Sequence, residues 1–190
     1  ARTGFNRVAG ALPPALAGRV EALASAQSVE RADVLLAAFL LLLHRIASQA
    51  DIVVPRAGAD GQPLPLRFEL ADDIDVATCL RMVAARSQEA ARHAQAWRES
   101  GVPAPDWQVL FSDGAPVAAT DGLLLAMRVQ PAAADGSVAL ELHFANALLD
   151  CAGAERWLTY WRQLLDAMLD DPQARIADLG QRLNVALVQR

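Results

Sequence analysis

Hydrophobic residues are most concentrated at ten consecutive positions, 34–43, which read VLLAAFLLLL. A helix over these positions has no polar face, and such a helix has to be buried. The run is shorter than the ~20 apolar residues that a membrane-spanning helix needs, so we interpret it as a core helix and not as a membrane span. The pattern predicts a buried helix within residues 29–50, around which the rest of the chain is organised.

The residues that flank this run carry signals of helix ends. Ser28 is a residue of the N-cap type, and Glu30 and Asp33 place negative charge in the first turn, where the helix dipole favours it. His44 and Arg45 follow the last apolar position, which is typical of a helix C-terminus. We therefore predict that Ser28 caps the helix and that His44 and Arg45 mark its other end.

Three further stretches have the spacing of amphipathic helices. They cover residues 14–27, the stretch from the Asp72-Asp73 pair to about residue 100, and residues 151–170. We expect Asp72 or Asp73 to cap the second of these helices and Asp150 to cap the third. Trp157 and Trp161 recur at helical spacing in the third helix, which favours core packing over a ligand-binding pair.

Short apolar or alternating segments predict strands, with polar stretches between them. The strands are expected at residues 51–54, 64–70, 107–111, 123–130 and 138–145, with a turn at Ser112-Asp113-Gly114. Pro65 favours an edge position for the second strand, because proline cannot donate a hydrogen bond to a neighbouring strand. Residues 56–63 are expected to form a loop, and Asp135-Gly136 lies in the connection of the clearest hairpin.

Composition limits the classes of protein that the chain can belong to. With 190 residues, 54% of them hydrophobic and 21% charged, the chain is long and apolar enough for one substantial core and is not disordered. Its net charge of -5, without a basic cluster, argues against a nucleic-acid partner. All 17 basic residues are arginine, which is typical of a GC-rich genome and leaves no lysine for catalysis.

The two cysteines, Cys79 and Cys151, are far apart and belong to no C-x-x-C pair, which argues against a zinc site or a redox motif. We expect both to be free buried thiols in a cytoplasmic protein. No stretch resembles a signal peptide. Because the chain begins with Ala1 and not with methionine, we expect it to be an excised piece of a longer protein.

Candidate chemistry centres on three histidines, of which His143 is the best placed. It alternates with Leu142 and Phe144, so it projects from the opposite face of its strand, and Asn146 and Asp150 follow nearby. The alternative is a polar side chain on the solvated or helix-covered face of the hairpin. Because nucleophilic catalysis needs a base beside an activated Ser or Cys, we assign no catalytic residue.

Motifs that bind cofactors or metals, or that carry a serine nucleophile, are missing from the sequence. The stretch AGADG at 57–61 lacks the G-x-G-x-x-G spacing and the helix start of a phosphate-binding loop. H-E-x-x-H, G-x-S-x-G and acidic calcium-loop patterns are absent as well. We therefore expect no cofactor and no metal site.

Four segments, read in order, carry a resemblance to a known family. They are residues 34–45 running into 51–54, residues 64–67, residues 140–146 with Leu149 and Asp150, and Asp171-Pro172 with Ile176 and Leu179. Together they resemble the C-terminal half of a condensation domain from a nonribosomal peptide synthetase. The first segment looks like that family's long buried helix and the strand that follows it.

The sequence departs from that family at two places. The catalytic His-His-x-x-x-Asp-Gly motif, which belongs to the family's N-terminal lobe, is absent. The family also has a longer stretch, rich in Gly and Asn, where this chain has residues 56–63, and Pro55 stands where a Gly usually follows the strand. That longer stretch reaches across to the other lobe, so the resemblance does not extend to the bridging contact or to the floor of the family's substrate tunnel. Because the histidine motif is absent, no catalytic residue can be carried over.

The resemblance implies a layered α/β sandwich, with long helices packed on a mixed β-sheet, as in one half of a chloramphenicol acetyltransferase-like fold. It implies a truncated condensation-like lobe over residues 1–172 and a linker toward a following domain over 173–190, whose Leu183 and Leu187 continue a weak helical pattern. Half of a fold leaves an apolar face or strand edge uncovered, so we expect an adjacent domain to cover it or the excised chain to self-associate.

Three functions are compatible with the resemblance. The first is a non-catalytic scaffold or interaction surface for an adjacent adenylation domain or carrier protein in a bacterial, cytoplasmic peptide synthetase. The second is one half of an amide-forming acyltransferase whose catalytic histidine lies in a missing lobe. The third is a platform that recruits a tailoring enzyme.

Overall fold

The computed structural model describes residues 4–103 and 105–179, and its principal elements there are six strands and five helices, followed by helical residues at 176–179. In chain order these are β1 (Phe5–Leu12), α1 (Pro14–Ala26), α2 (Arg31–Ala47), β2 (Asp51–Ala57), β3 (Pro63–Glu69), α3 (Val76–Arg92), α4 (Ala94–Glu99), β4 (Val109–Asp113), β5 (Leu125–Val129), β6 (Val138–Ala145) and α5 (Cys151–Asp170).

The strands form one mixed sheet in the order β1-β6-β5-β4-β2-β3. β4 pairs in parallel with β2 and β5, whereas the remaining neighbours are antiparallel. The predicted α/β class is therefore confirmed, as is the hairpin that joins β5 to β6. β3 lies at an edge of the sheet, as Pro65 indicates.

The helix α2 is enclosed by the rest of the chain, as its hydrophobic run predicts. Every residue from Ala32 to Leu43 is buried, because α2 contacts α1, α3 and α5 as well as β2. The ring of Phe39 lies 6.2 Å from that of Phe111 on β4, at an angle of 37°. The core is thus built around this helix, on one face of the sheet.

Two of the predicted helix caps are wrong. Ser28 has a φ of 56° and precedes the helix, whereas Glu30 is the N-cap of α2 and its N–H donates to the Asp33 carboxylate over 2.9 Å. Neither Asp72 nor Asp73 caps α3, because Asp75 does so by accepting the N–H of Thr78 over 2.7 Å. The third predicted cap is confirmed, since Asp150 accepts the N–H of Gly153 over 2.7 Å.

We predict that Asp75→Ala lowers the free energy of unfolding by about 1 kcal/mol at pH 7, the usual cost of losing an N-cap. The hydroxyl and the N–H of Thr78 hold the pKa of Asp75 below its ordinary value. Such a group stabilises the fold above its pKa in the unfolded chain, and this stability is lost as the pH falls through the lower, folded pKa. Urea unfolding of both proteins should therefore show a difference that shrinks at pH 3. An equal difference at both pH values would contradict the role of the carboxylate.

The second amphipathic helix is divided in two. α3 ends at Arg92, and α4 begins at Ala94, with His93 between them at φ -100° and ψ 5°. α4 has no buried residue, so packing does not force it to continue the axis of α3. The prediction of one helix to about residue 100 is therefore wrong at its C-terminal end.

Three expectations about strands and thiols also need correction. β1 was not expected, and β2 extends through Ala57, so that the connection to β3 is shorter than the predicted loop of residues 56–63.

Cys79 is buried, and burial raises the pKa of its thiol to about 12. Cys151 is exposed at the start of α5, so the expectation that both thiols are buried is wrong.

Residues 173–179, which the predicted domain division assigns to a linker, pack against the lobe. Ala174, Ile176 and Leu179 are buried, and the N–H of Val76 donates to the carbonyl of Ala174 over 3.0 Å. Leu183 and Leu187 lie outside the described residues. Within the described ranges, no helix combines the length and the hydropathy needed to cross a bilayer.

Candidate functional site

His143, the best sequence candidate, lies buried on β6 and forms a hydrogen bond with neither Asn146 nor Asp150. Its Nε2 atom is 2.9 Å from Oε2 of Glu141, and its ring stacks on that of Phe5 at 6.1 Å. Asp150 caps α5 instead, and Asn146 is exposed, with its backbone N–H donated to Gly4. The side chain that the structure brings to His143 is thus Glu141, two residues away on the same face of the strand.

Glu141 is the centre of a small charged network on the sheet. Its carboxylate lies 3.3 Å from both Arg7 on β1 and Arg128 on β5, in addition to its contact with His143. Burial alone raises the pKa of Glu141, but the hydrogen bonds from His143 and Arg128 outweigh it and the pKa is lowered. Glu141 is therefore an ionised acceptor that links three adjacent strands.

This network has the contacts of a structural crosslink. Within the part of the chain that the structure describes, no Ser, Thr or Cys side chain forms a hydrogen bond with His143. The hydroxyl of Ser112 on β4, two strands away from His143, is buried and donates to the carbonyl of Ala115 over 2.6 Å. The arrangement pairs a base with a carboxylate but places no nucleophile against it.

The other two histidines lie at helix ends. The Nδ1 atom of His44 is 2.6 Å from the carbonyl oxygen of Gln49, and its Nε2 atom is 3.4 Å from Asp72. His93 lies exposed at the break between α3 and α4. His44 thus closes the C-terminal turn of α2.

A second charged cluster, which the sequence reasoning missed, surrounds Arg56 at the end of β2. One terminal nitrogen of Arg56 donates to Asp33 over 2.8 Å and to the hydroxyl of Ser87 over 2.9 Å. The other lies 3.5 Å from Asp113 and 3.8 Å from Glu30. The side chains of Arg56 and Asp33 are only 14% and 6% exposed, so this ion pair is largely buried. It joins β2 to α2, α3 and β4.

One sequence signal could have found this cluster. Asp33 lies next to a helix segment without a polar face, and a carboxylate buried there needs a cationic partner. The sequence did not identify Arg56 as this partner, because Arg56 is 23 positions from Asp33 and residues 56–63 were predicted to form a loop.

A cleft of about 430 Å³ opens beside Arg56. Arg56, Asp33 and Ser87 contribute polar groups to its lining, whereas Leu64 and Leu66 of β3 contribute apolar side chains. Within the described ranges, no three His, Cys, Asp or Glu side chains are arranged to bind a metal ion. The carboxylates of this cluster are instead directed at a guanidinium group.

The connection from β2 to β3 is a closed hairpin beside the same cleft. Ala57 pairs with Pro63, so only residues 58–62 are left to turn the chain. The turn is closed by the N–H of Gly61, which donates to the carbonyl of Gly58 over 2.9 Å, with Gly61 at a φ of 71° that glycine readily adopts. Asp60 in this turn forms an ion pair with Arg98 of α4.

No known family profile matches the chain. Solved structures do match it. A condensation domain from the monacolin K polyketide synthase MokA has a TM-score of 0.77 and 16% identity, over 92% of this chain and 49% of that one. A four-domain nonribosomal peptide synthetase bound to AMP and glycine has a TM-score of 0.79 and 13% identity, over 93% of this chain and 18% of that one. The complex of the X-domain and OxyB from teicoplanin biosynthesis gives a TM-score of 0.70 and 22% identity, over 93% and 48%.

These likenesses establish the fold of the chain. It folds as one lobe of a condensation domain, with a six-stranded mixed sheet and helices packed on it. The chain spans about half the length of the isolated condensation domain that it matches.

Proposed function

We propose that this lobe is a condensation-like module of a cytoplasmic nonribosomal peptide synthetase and that it forms no amide bond by itself. In this role it is a scaffold or interaction surface for a neighbouring adenylation domain or carrier protein. The likeness to condensation domains supports the assignment to a peptide synthetase. The missing His-His-x-x-x-Asp-Gly motif supports the proposal that this lobe does not catalyse amide formation.

The observation that carries the proposal is the closed hairpin between β2 and β3. The resemblance to condensation domains leads one to expect a longer, Gly-rich stretch here that reaches across to the other lobe. In this chain the strands stay paired up to Ala57 and Pro63, and Asp60 is tied to Arg98 of the same lobe. The longer segment that would complete a substrate tunnel is thus replaced by a five-residue turn, which Asp60 ties to α4.

The proposal predicts that the purified chain makes no amide product from an acyl carrier protein and an aminoacyl carrier protein. The physical reason is that no histidine base is placed for the acceptor amine. Product would be measured by mass spectrometry of the carrier proteins, with an intact two-lobed condensation domain as the positive control. Turnover that follows the chain through purification and exceeds the protein-free background would refute the proposal.

The same assay separates the second candidate function, one half of an acyltransferase. The match to about half of a condensation domain favours this candidate. A separately produced lobe that carries the histidine motif is added to the reaction. Product that requires both lobes would establish this candidate, whereas no product would leave the chain as a non-catalytic module.

A third candidate, recruitment of a tailoring enzyme, is favoured by the likeness to an X-domain solved in complex with OxyB. Purified candidate partners would separate it from the first. Direct binding of a tailoring enzyme, with none to the adjacent adenylation domain or carrier protein, would establish recruitment.

A further inference from the structure

The outer edge of β1 is an open sheet edge. The N–H of Asn146 donates to the carbonyl of Gly4 over 2.7 Å, and the register pairs β1 with β6 from that point. In an antiparallel pair, the backbone N–H and C=O groups of every second residue are directed at the neighbouring strand. The even-numbered residues of β1 therefore bond to β6, and the backbone groups of the odd-numbered residues are directed away from it. The Asn6 side chain accepts the N–H of Arg7 over 3.1 Å. The N–H groups of Ala9 and Ala11 have no partner in the described structure.

The opposite edge of the sheet is blunted. The N–H of Leu70 donates to the carbonyl of Ala50 over 2.8 Å, so the odd-numbered residues of β3 point outward by the same rule. Two of these residues are Pro63 and Pro65, which have no N–H to offer another strand. The chain thus protects one edge against strand addition and leaves the other open.

Helix α5 lies beneath the open edge and adds charge to it. The helix begins near Asn6, whose amide is 3.7 Å from the Cys151 sulfur, and its Leu158 packs so closely at Gly10 that a Cβ there would lie 2.9 Å from it. α5 therefore runs in the same direction as β1. Between them is a cleft of about 350 Å³ flanked by Glu155 and Arg162, and neither has an ion-pair partner among residues 4–103 and 105–179.

We propose that this edge pairs with the same edge of a second copy of the chain, antiparallel and about a two-fold axis beside Gly10. Ala9 of each copy then lies opposite Ala11 of the other, so the free N–H groups of both residues meet carbonyl groups. The small side chains of these alanines leave room for the approach. The inference is independent of the proposed function.

The opposite charges of Glu155 and Arg162 on α5 indicate that the partner of this edge is a second copy of the chain. At a rise of 1.5 Å per residue, Glu155 lies about 4.5 Å before Leu158 along the helix and Arg162 about 6 Å after it. A two-fold axis beside Gly10 therefore places Glu155 of each copy opposite Arg162 of the other. A self-complementary edge of this kind is what an isologous interface requires.

Sedimentation velocity of the 190-residue chain over a wide range of concentration tests the proposal. We expect a concentration-dependent monomer–dimer equilibrium. Glu155→Arg and Arg162→Glu should each weaken dimerisation by about tenfold, because the symmetry creates two like-charge contacts. The double variant should restore the wild-type constant, since the pair is reversed and retained. Arg81→Glu, on the exposed face of α3, is the control and should leave the constant unchanged.

A second variant addresses the backbone directly. Ala9→Pro removes one outward N–H without touching the bonds to β6, and it should weaken dimerisation while circular dichroism stays unchanged. A chain that remains monomeric at high concentration would overturn the proposal. So would association that neither single charge reversal weakens, or single reversals that the double variant does not rescue, because another surface would then be responsible.

Discussion

Phe39→Ala is expected to lower the free energy of unfolding by about 3–5 kcal/mol, the range for deleting a fully buried aromatic side chain. Phe39 on α2 is completely buried, and the centre of its ring lies 6.2 Å from that of Phe111 on β4. α2 is enclosed by α1, α3 and α5, so its neighbours cannot collapse into the space without disturbing several elements at once. Urea unfolding at pH 7, followed by circular dichroism, measures the change.

Ile46→Ala is the matched control, because Ile46 lies on the same helix but is 40% exposed. The decrease in the free energy of unfolding should be much smaller for Ile46→Ala than for Phe39→Ala, since Ile46 contributes little buried surface to the core. Similar losses for both variants would contradict the view that α2 stabilises the lobe through its enclosed segment.

The sequence predicts this helix and the β5–β6 hairpin well because their signals are local. Ten apolar residues without a polar face can only be buried, and Asp135-Gly136 fixes the connection between two alternating stretches. Asp150 is also recognisable as a cap, because no other capping residue competes with it just before α5.

The elements that the sequence did not predict depend on contacts between distant segments. β1 buries only Val8 and Leu12, so it shows no alternation, and it becomes a strand by pairing with β6 more than 120 residues later. The cap of α3 is Asp75 and not one of the earlier aspartates, and the helix starts where Asp75 forms an isolated bridge with Arg175 and the N–H of Val76 donates to the carbonyl of Ala174. Neither contact leaves a trace in the local pattern.

The charged clusters divide in the same way. The contact of His143 with Glu141 follows from their spacing of two residues on a strand, and it could have been predicted in place of Asn146 and Asp150. For the ion pair of Asp33 with Arg56, the sequence could predict that Asp33 needs a cationic partner but not that Arg56 is that partner. The buried carboxylate requires a cation, but 17 arginines were available and the fold determines which one arrives.

Arg56→Ala is expected to lower the free energy of unfolding by about 3 kcal/mol, because it leaves Asp33 as a buried carboxylate without its counter-ion. The loss is at the lower end of the range for broken buried pairs, since Asp33 keeps the hydrogen bond from the N–H of Glu30. Arg67→Ala is the control. It removes an ion pair with Asp51 whose two side chains are 67% and 51% exposed, and we expect no measurable change.

A double-mutant cycle with Asp33→Asn identifies the source of this loss. Asparagine keeps an oxygen that can accept the N–H of Glu30 but carries no charge, so Arg56→Ala should cost much less in the Asp33→Asn background than in the wild type. Equal costs in both backgrounds would mean that Arg56 stabilises the lobe through Ser87 and the packing of its side chain. A much smaller cost in the Asp33→Asn background would instead show that the charge on Asp33 makes Arg56 necessary at the junction of α2, α3 and the sheet.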